Sequence, residues 1–393
     1  MDVRTRLFGS LLLMAFMVNF GRTIFAPFVE EFQVVFGVGP AALGLVTSLV
    51  WFGTAVGRIP VAIGLTRIPR DRMLGAMGAL IVGGSVLTAT AVTIAQLQLG
   101  AFLLGLGAGG YFVIVVPFLG AIFPDSVGRA IGVHGVAVQV AAVVVGPTAI
   151  VAIATDGWRM VFWAIAVTLT LVTVVSVALV RRRVDAGAPT THREFTAVIT
   201  HWRPVAVALV ITATAGFLWI GFFNFFVSYL LAEKGVGITR GEWLLTVMFA
   251  AGVPAFYIAG RVVDRFPPLP FIYLMLGVFG VGMIALTVVD TLWATVGLTV
   301  LIGFSIHTLF PSIDTWLIRQ LDATVRESAY ASFTGLSLLI ESAGPGTVGW
   351  LVARGVDYGT VFRSFAFAVL GMVVMMTVVT GRWAPDQLRR NPS

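Results

Sequence analysis

Four ionisable side chains stand inside long apolar runs: Arg22, Arg58, Asp314 and Glu341. A charge at the centre of a membrane helix costs on the order of 2.5–3.5 kcal/mol on insertion scales, so such residues are candidates for function. Arg22 lies in Asn19-Phe20-Gly21-Arg22-Thr23, where Asn19, Arg22 and Thr23 share one helix face. Arg58 heads Arg58-Ile59-Pro60. The planar guanidinium fork matches carboxylates and planar oxyanions through two parallel hydrogen bonds, so both arginines are candidates for holding a small anion. Glu341 precedes Gly344-Pro345, where proline removes a backbone donor and small residues permit bending. A carboxylate there is placed to exchange a proton or cation as its surroundings change. Asp314, with His307 earlier on the same face, is a second coupling candidate; pairing with Arg319 or Arg58 is its structural alternative. His134, Gln139, Trp219 and Asn224 complete the candidate solute-binding set, each with packing or an interhelical hydrogen bond as the plainer reading.

These residues must be positioned by membrane helices. Of the 393 residues, 58% are hydrophobic and only 11% are charged, against about 25% charged in a soluble domain. With a mean hydropathy of +0.99, the chain has more apolar surface than a core can bury, which excludes a water-soluble globule. Cutting at charges and at Gly/Pro clusters predicts twelve spans, at 7–29, 41–64, 73–93, 97–123, 129–154, 158–180, 204–231, 243–263, 271–289, 292–318, 327–353 and 361–380. The first is expected to be a retained helix rather than a cleaved leader. Sorting the basic residues by loop puts eighteen arginines on one side and four arginines plus Lys234 on the other. The positive-inside rule then places both termini in the cytoplasm. The net charge of +7 is therefore topological, and no nucleic-acid partner is expected. With no cysteine and no metal-ligand spacing among His134, His192, His201 and His307, no cofactor or metal is expected. The glycine run from Gly105 to Gly110 lacks a preceding strand and reads as close helix packing rather than nucleotide binding.

The two halves repeat at a constant offset of 198 residues. Gly37-Val38-Gly39 matches Gly235-Val236-Gly237, Arg67 matches Arg265, Pro69 matches Pro267, Gly105 matches Gly303, and Gly146-Pro147 matches Gly344-Pro345. Two six-helix halves related by an axis along the membrane normal usually enclose one site near the midplane. The expected organisation is a first half at 1–180, a cytoplasmic linker at 181–203 and a second half at 204–393. The basic run Arg181-Arg182-Arg183 anchors topology, with binding to anionic lipid as its alternative.

Twelve spans in two similar halves, a basic loop between spans 2 and 3, its echo between spans 8 and 9, and Gly-Pro in spans 5 and 11 resemble the major facilitator superfamily. In that family the 2–3 loop reads Gly, three residues, Asp-Arg, one residue, Gly, then basic residues. Gly260, Asp264 and Arg265 keep this pattern, whereas the first-half copy keeps only Arg67 and the basic tail. The resemblance implies the superfamily's all-α fold and an alternating-access carrier. It also suggests an inner gate in which Asp264 meets the start of span 5 near Arg129, and Arg67 meets Glu327 at the start of span 11.

Two local resemblances bear on the solute. Arg58-Ile59-Pro60 is similar to the anion-binding stretch of nitrate/nitrite porters, although the equivalent place in span 8 is Phe256. The stretch from Arg22 to Glu30 resembles span 1 of monocarboxylate-type facilitators. A drug or metabolite/proton antiporter is the alternative, supported by Gly146-Pro147 but opposed by Ala101, where those antiporters carry arginine. A membrane enzyme lacks a catalytic constellation here, a primary pump lacks a phosphate loop, and a non-transporting sensor remains as a third class. The expectation is a monomeric, multi-pass carrier in the plasma membrane of a prokaryote. It would take a small solute, an anion by its arginines, with a proton or another ion as the coupling partner.

Overall fold

The computed structural model describes residues 3–155, 157–183, 202–322 and 326–381. The expected 181–203 linker lies mostly outside these residues, as does the side chain of Glu327. The described regular structure is helical, and twelve helices are long and apolar enough to cross a membrane, from Val3–Thr23 to Tyr358–Gly381.

Helix starts follow local chemistry. Thr93 and Gln96 form a reciprocal capping box before Ile94–Ile122, satisfying two orphan amides. Pro40 and Pro268 begin their helices, where the missing amide hydrogen costs nothing. Asp357 caps span 12 through the Thr360 amide and hydroxyl at 2.7 and 2.8 Å. These bonds hold its carboxyl below the usual carboxylate range.

Most spans run a few residues past the bounds that charge-based cutting predicts, and in spans 1, 7 and 8 the extension brings acidic residues inside. Span 1 continues past Val3–Thr23 through a turn at 24–28 into Val29–Phe36. Glu30 and Glu31, which suggested an end, lie in the first turn of that second helix, where the helix dipole favours acids. Span 7 likewise continues from Trp202–Asn224 into Phe226–Lys234. There the Gly359 amide donates to both Glu233 oxygens at 3.0 and 3.1 Å, and Lys234 donates to the Thr287 and Val289 carbonyls. Span 8 begins at Ile238 rather than 243, so Glu242 is inside it.

The repeat is geometric as well as sequential. Gly37 and Gly235 close the short helices Val29–Phe36 and Phe226–Lys234 with φ of 61° and 60°, a region that favours glycine. A Cβ on Gly105 would overlap the Val50 carbonyl, and one on Gly303 would overlap the Met248 carbonyl. Both the glycines and their partners are one repeat apart. Spans 4 and 10 therefore pack on spans 2 and 8 by the same close backbone approach.

Spans 2, 5, 8 and 11 show what the bundle does between its halves. Near the face that carries Gly37 and Gly235, a Cβ on Gly44 or Gly349 would run into the span facing it, at the Pro345 and Pro40 carbonyls respectively. The Ser48 hydroxyl accepts the Gly346 amide at 2.8 Å. Gly146 of span 5 lies equally close to Glu242 and Thr246 of span 8. Toward the face that carries residue 3, a Cβ on Gly128, Gly132, Gly135, Gly260 or Gly335 would meet nothing within 4 Å. These spans are thus sealed at one end, and spans 5, 8 and 11 have open space beside them at the other.

Candidate functional site

The side chains brought together at the middle of the bundle form two arginine-centred groups. The first is Arg22. Sequence depth, about 23 Å up a helix beginning at residue 7, suggested the outer half of span 1 and left snorkelling open. The span runs on to Phe36 and Arg22 lies just past its midpoint, and at only 9% exposed the side chain does not snorkel to the surface. Its Nη2 donates to Asn19 Oδ1 at 2.6 Å, and Thr23 donates its hydroxyl to the Asn19 carbonyl. The Trp51 and Phe112 rings face the guanidinium, each with its centroid 4.9 Å away. Such rings attract a cation through their quadrupoles but supply no net charge. Among the described residues no carboxylate pairs with Arg22, and its Nε has no hydrogen-bond partner. Its charged neighbour is Arg58.

Asn19 ties this group to span 5 by donating to the Val138 carbonyl at 2.8 Å. His134, on the same span, stacks on Tyr111 and meets the edge of Phe112. Tyr111 donates its hydroxyl to the Leu11 carbonyl and lies 3.2 Å from His134 Nε2. Asn19, Arg22 and His134 therefore belong to one aromatic-walled polar patch.

The second group crosses between the halves. Arg58 opens the segment Arg58–Gly64 after a one-residue interruption at Gly57. It interacts electrostatically with Tyr330, Glu341 and Asp314. Tyr330 lies beside Asp314 in this group. Glu341 is the last residue of Arg326–Glu341, 7% exposed, directly before the break that precedes Gly344–Ala353. Its carboxyl packs where a Cβ on Gly216 would stand, so span 7 leaves it room only by having no side chain there. Asp314 thus lies within electrostatic range of Arg58 without a direct ion pair among the described residues, and Arg319 sends its guanidinium to Asp264 at 2.7 Å.

His307 does not join Asp314. Its Nδ1 donates to the Gly303 carbonyl at 2.6 Å, and its ring lies among Trp219, Phe249 and Phe256. Trp219 and Phe249 also pack on Phe223, which meets Trp51 edge-on across the halves. Gln139 crosses as well, donating to the Phe249 carbonyl at 2.8 Å. Asn224 is instead buried against its own helix, donating to the Ile220 carbonyl. Tyr229 donates to the Leu286 carbonyl and packs on Phe362.

The expected inner-gate residues lie at the parted face. Arg67, Arg129 and Arg265 are exposed. Asp264 meets Arg319 of its own half instead of the start of span 5, as it must where the halves stand apart. Sequence reasoning missed Trp51, Phe112 and Tyr330, which carry no signal beyond being aromatic in a chain that is 12% aromatic. A groove of about 520 Å³ between spans 3 and 6, lined among others by Gly75, Gly78, Thr173 and Arg181, touches neither arginine group.

Comparison with known proteins agrees with this architecture. No curated protein sequence matches the chain significantly. Solved structures that resemble it include a bacterial homolog of the human lysosomal transporter Spinster, inward-facing and occupied. That match has a TM-score of 0.77 at 17% identity, covering 100% of this chain and 99% of the other. The D-xylose-proton symporter matches with a TM-score of 0.78 at 14% identity over 95% and 97%. The peptide transporter POT matches with a TM-score of 0.79 at 12% identity over 95% and 94%. At these identities the likeness concerns the fold. The sequence profile of the Major Facilitator Superfamily matches residues 11–239, more than half of the chain, and the protein is a member of that superfamily of membrane transporters, not an enzyme.

Proposed function

We propose that the protein is a secondary active carrier that moves a small anion by alternating access, with Arg22 as the anion's ligand and the Arg58 group as the coupling centre. The observation that carries this reading is the charge on Arg22. A buried guanidinium is costly unless it is paired, and Trp51, Phe112 and Asn19 together offer no opposite charge. A carboxylate or planar oxyanion completes the site by accepting the fork's unused donors.

Arg58 plays a different part. Glu341 and Asp314 of the other half lie within electrostatic range of it and supply the negative charge that Arg22 lacks. When one of them takes up a proton, Arg58 loses a counter-charge and becomes available to the same anion, so proton arrival raises anion affinity. This is the logic of symport. The D-xylose-proton symporter among the structural relatives supports a proton as the coupling ion.

The arginine-rich loops support a cytoplasmic location for the face carrying residue 3, in the plasma membrane of a prokaryote, with both termini inside. On that assignment the cleft opens inward. The two units that rock are the halves at 1–180 and 204–393, and one chain holds the whole site, so a monomer suffices.

Counterflow uptake into proteoliposomes tests the reading. A carrier exchanges labelled small carboxylate, nitrate or nitrite without ATP and loses exchange in Arg22→Gln. Binding without exchange would make the protein a sensor. One observation favours a second solute class. The enclosure formed by Trp219, Phe223, Phe249 and His307 suits a flat cation, for which Asp314 and Glu341 would trade protons in efflux. Exchange of cationic drugs that survives Arg22→Gln would establish that reading instead.

A further inference from the structure

Away from both arginine groups, Glu242 lies inside the sealed contact of spans 5 and 8. It is 0% exposed, and neither carboxylate oxygen has a hydrogen-bond partner among the described residues. The Gly146 Cα approaches its backbone so closely that a Cβ there would strike the Glu242 carbonyl and the Thr246 hydroxyl. Glu242 stands one repeat from Gly44, which forms the matching contact of spans 2 and 11 with no side chain at all. One seam is closed by glycine, and its twin is closed over a carboxyl group.

The surroundings offer that carboxyl no counter-charge. Glu30, in the first turn of Val29–Phe36, is its electrostatic neighbour and has the same sign. Arg240, on the same helix, is exposed. Residues 138–154 of span 5 and 292–306 of span 10 contain no titratable group. On the neighbouring segment Phe226–Lys234, Glu233 is held by the Gly359 amide and Lys234 by Asp290. A buried carboxylate without partner or donor is far costlier than the neutral acid. The neutral acid also lowers the repulsion with Glu30.

We propose that Glu242 is a second proton-binding site, one that lies in the seam and couples its closure to protonation. The carboxyl binds a proton as spans 5 and 8 close over it and releases the proton to water when they part. This rests on the alternating-access reading, and it places a proton event on the face opposite the cleft, separate from Arg58. Proton binding at this face would favour the seam-closed, cleft-open state seen here.

The test uses the absence of native cysteine: Val92→Cys and Trp293→Cys, both strongly exposed near the sealed face and one in each half, carry spin labels for electron resonance distances. In the otherwise unsubstituted protein, raising the pH from about 5 to about 8, across the carboxylate-to-neutral range, should lengthen the distance. Glu242→Gln should stay at the short distance throughout, and Glu242→Asp should restore the shift, which separates a proton site from a folding defect. An unchanged pH response in Glu242→Gln overturns the proposal. A distance that solute moves but pH does not also overturns it while leaving alternating access intact. A distance that neither moves overturns both.

Discussion

Arg22 and Arg58 are the same side chain placed at neighbouring depths in one bundle, and they are held in opposite ways. Arg22 has aromatic rings and an amide around it but no carboxylate among the described residues. Arg58 has Glu341, Asp314 and Tyr330 of the other half within electrostatic range. A cation whose counter-charge is built in stabilises the resting protein. One without it stores an unmet interaction that only a ligand can satisfy. The difference assigns structure and coupling to Arg58 and recognition to Arg22.

The largest expected effect tests that contrast from the stability side. Arg58→Gln takes away the cation nearest Glu341 and Asp314; losing one partner of a fully buried pair costs about 3–5 kcal/mol, and the half-buried Arg58 sets that as the upper end here. Thermal unfolding in detergent should show a marked drop for Arg58→Gln and none of comparable size for Arg22→Gln. Adding Glu341→Gln to Arg58→Gln should recover part of the loss, because the two residues are coupled. Equal losses for the two arginine variants would erase the distinction.

From the binding side the order reverses. Arg22→Gln removes hydrogen bonds to a charged ligand worth about 1.5–3 kcal/mol, so anion affinity in a binding titration should fall roughly 10- to 150-fold. Trp51→Leu or Phe112→Leu removes one ring from the guanidinium. At about 0.5–2 kcal/mol for such a contact, each should weaken anion binding by disordering Arg22 while leaving the pH dependence of transport unchanged. Tyr330→Phe deletes one hydroxyl beside Asp314, a change of about 1 kcal/mol. It should alter that pH dependence and leave anion affinity at Arg22 nearly untouched.

Much of this was legible in the sequence for one physical reason: charge is so rare in the spans that each buried instance stands out. Arg22, Arg58, Asp314 and Glu341 were visible in that way, and the offset pairs Gly37 with Gly235 and Gly105 with Gly303 marked the repeat. Pairings were not legible, because they depend on helix rotation. Asp264 took Arg319 over span 5, which left Asp314 to face the Arg58 group rather than Arg319. Span ends also misled wherever charge was taken as a boundary. Glu30 and Glu31 start a helix, and Glu242 lies inside a span that charge-cutting begins one residue later. Trp51 and Phe112 could not be separated from the other aromatic residues until the fold brought them against Arg22.

Arg22 stands uncompensated among the described residues, ready for an anion. A thermal-shift titration of purified protein with nitrate, nitrite, small carboxylates, sugars and cationic drugs, repeated for Arg22→Gln and Arg58→Gln, tests this most directly. Anions alone should raise the unfolding temperature, the rise should vanish in Arg22→Gln, and it should persist at reduced size in Arg58→Gln. Stabilisation by cations or neutral compounds with none from any anion, or an anion response that survives Arg22→Gln, would contradict it.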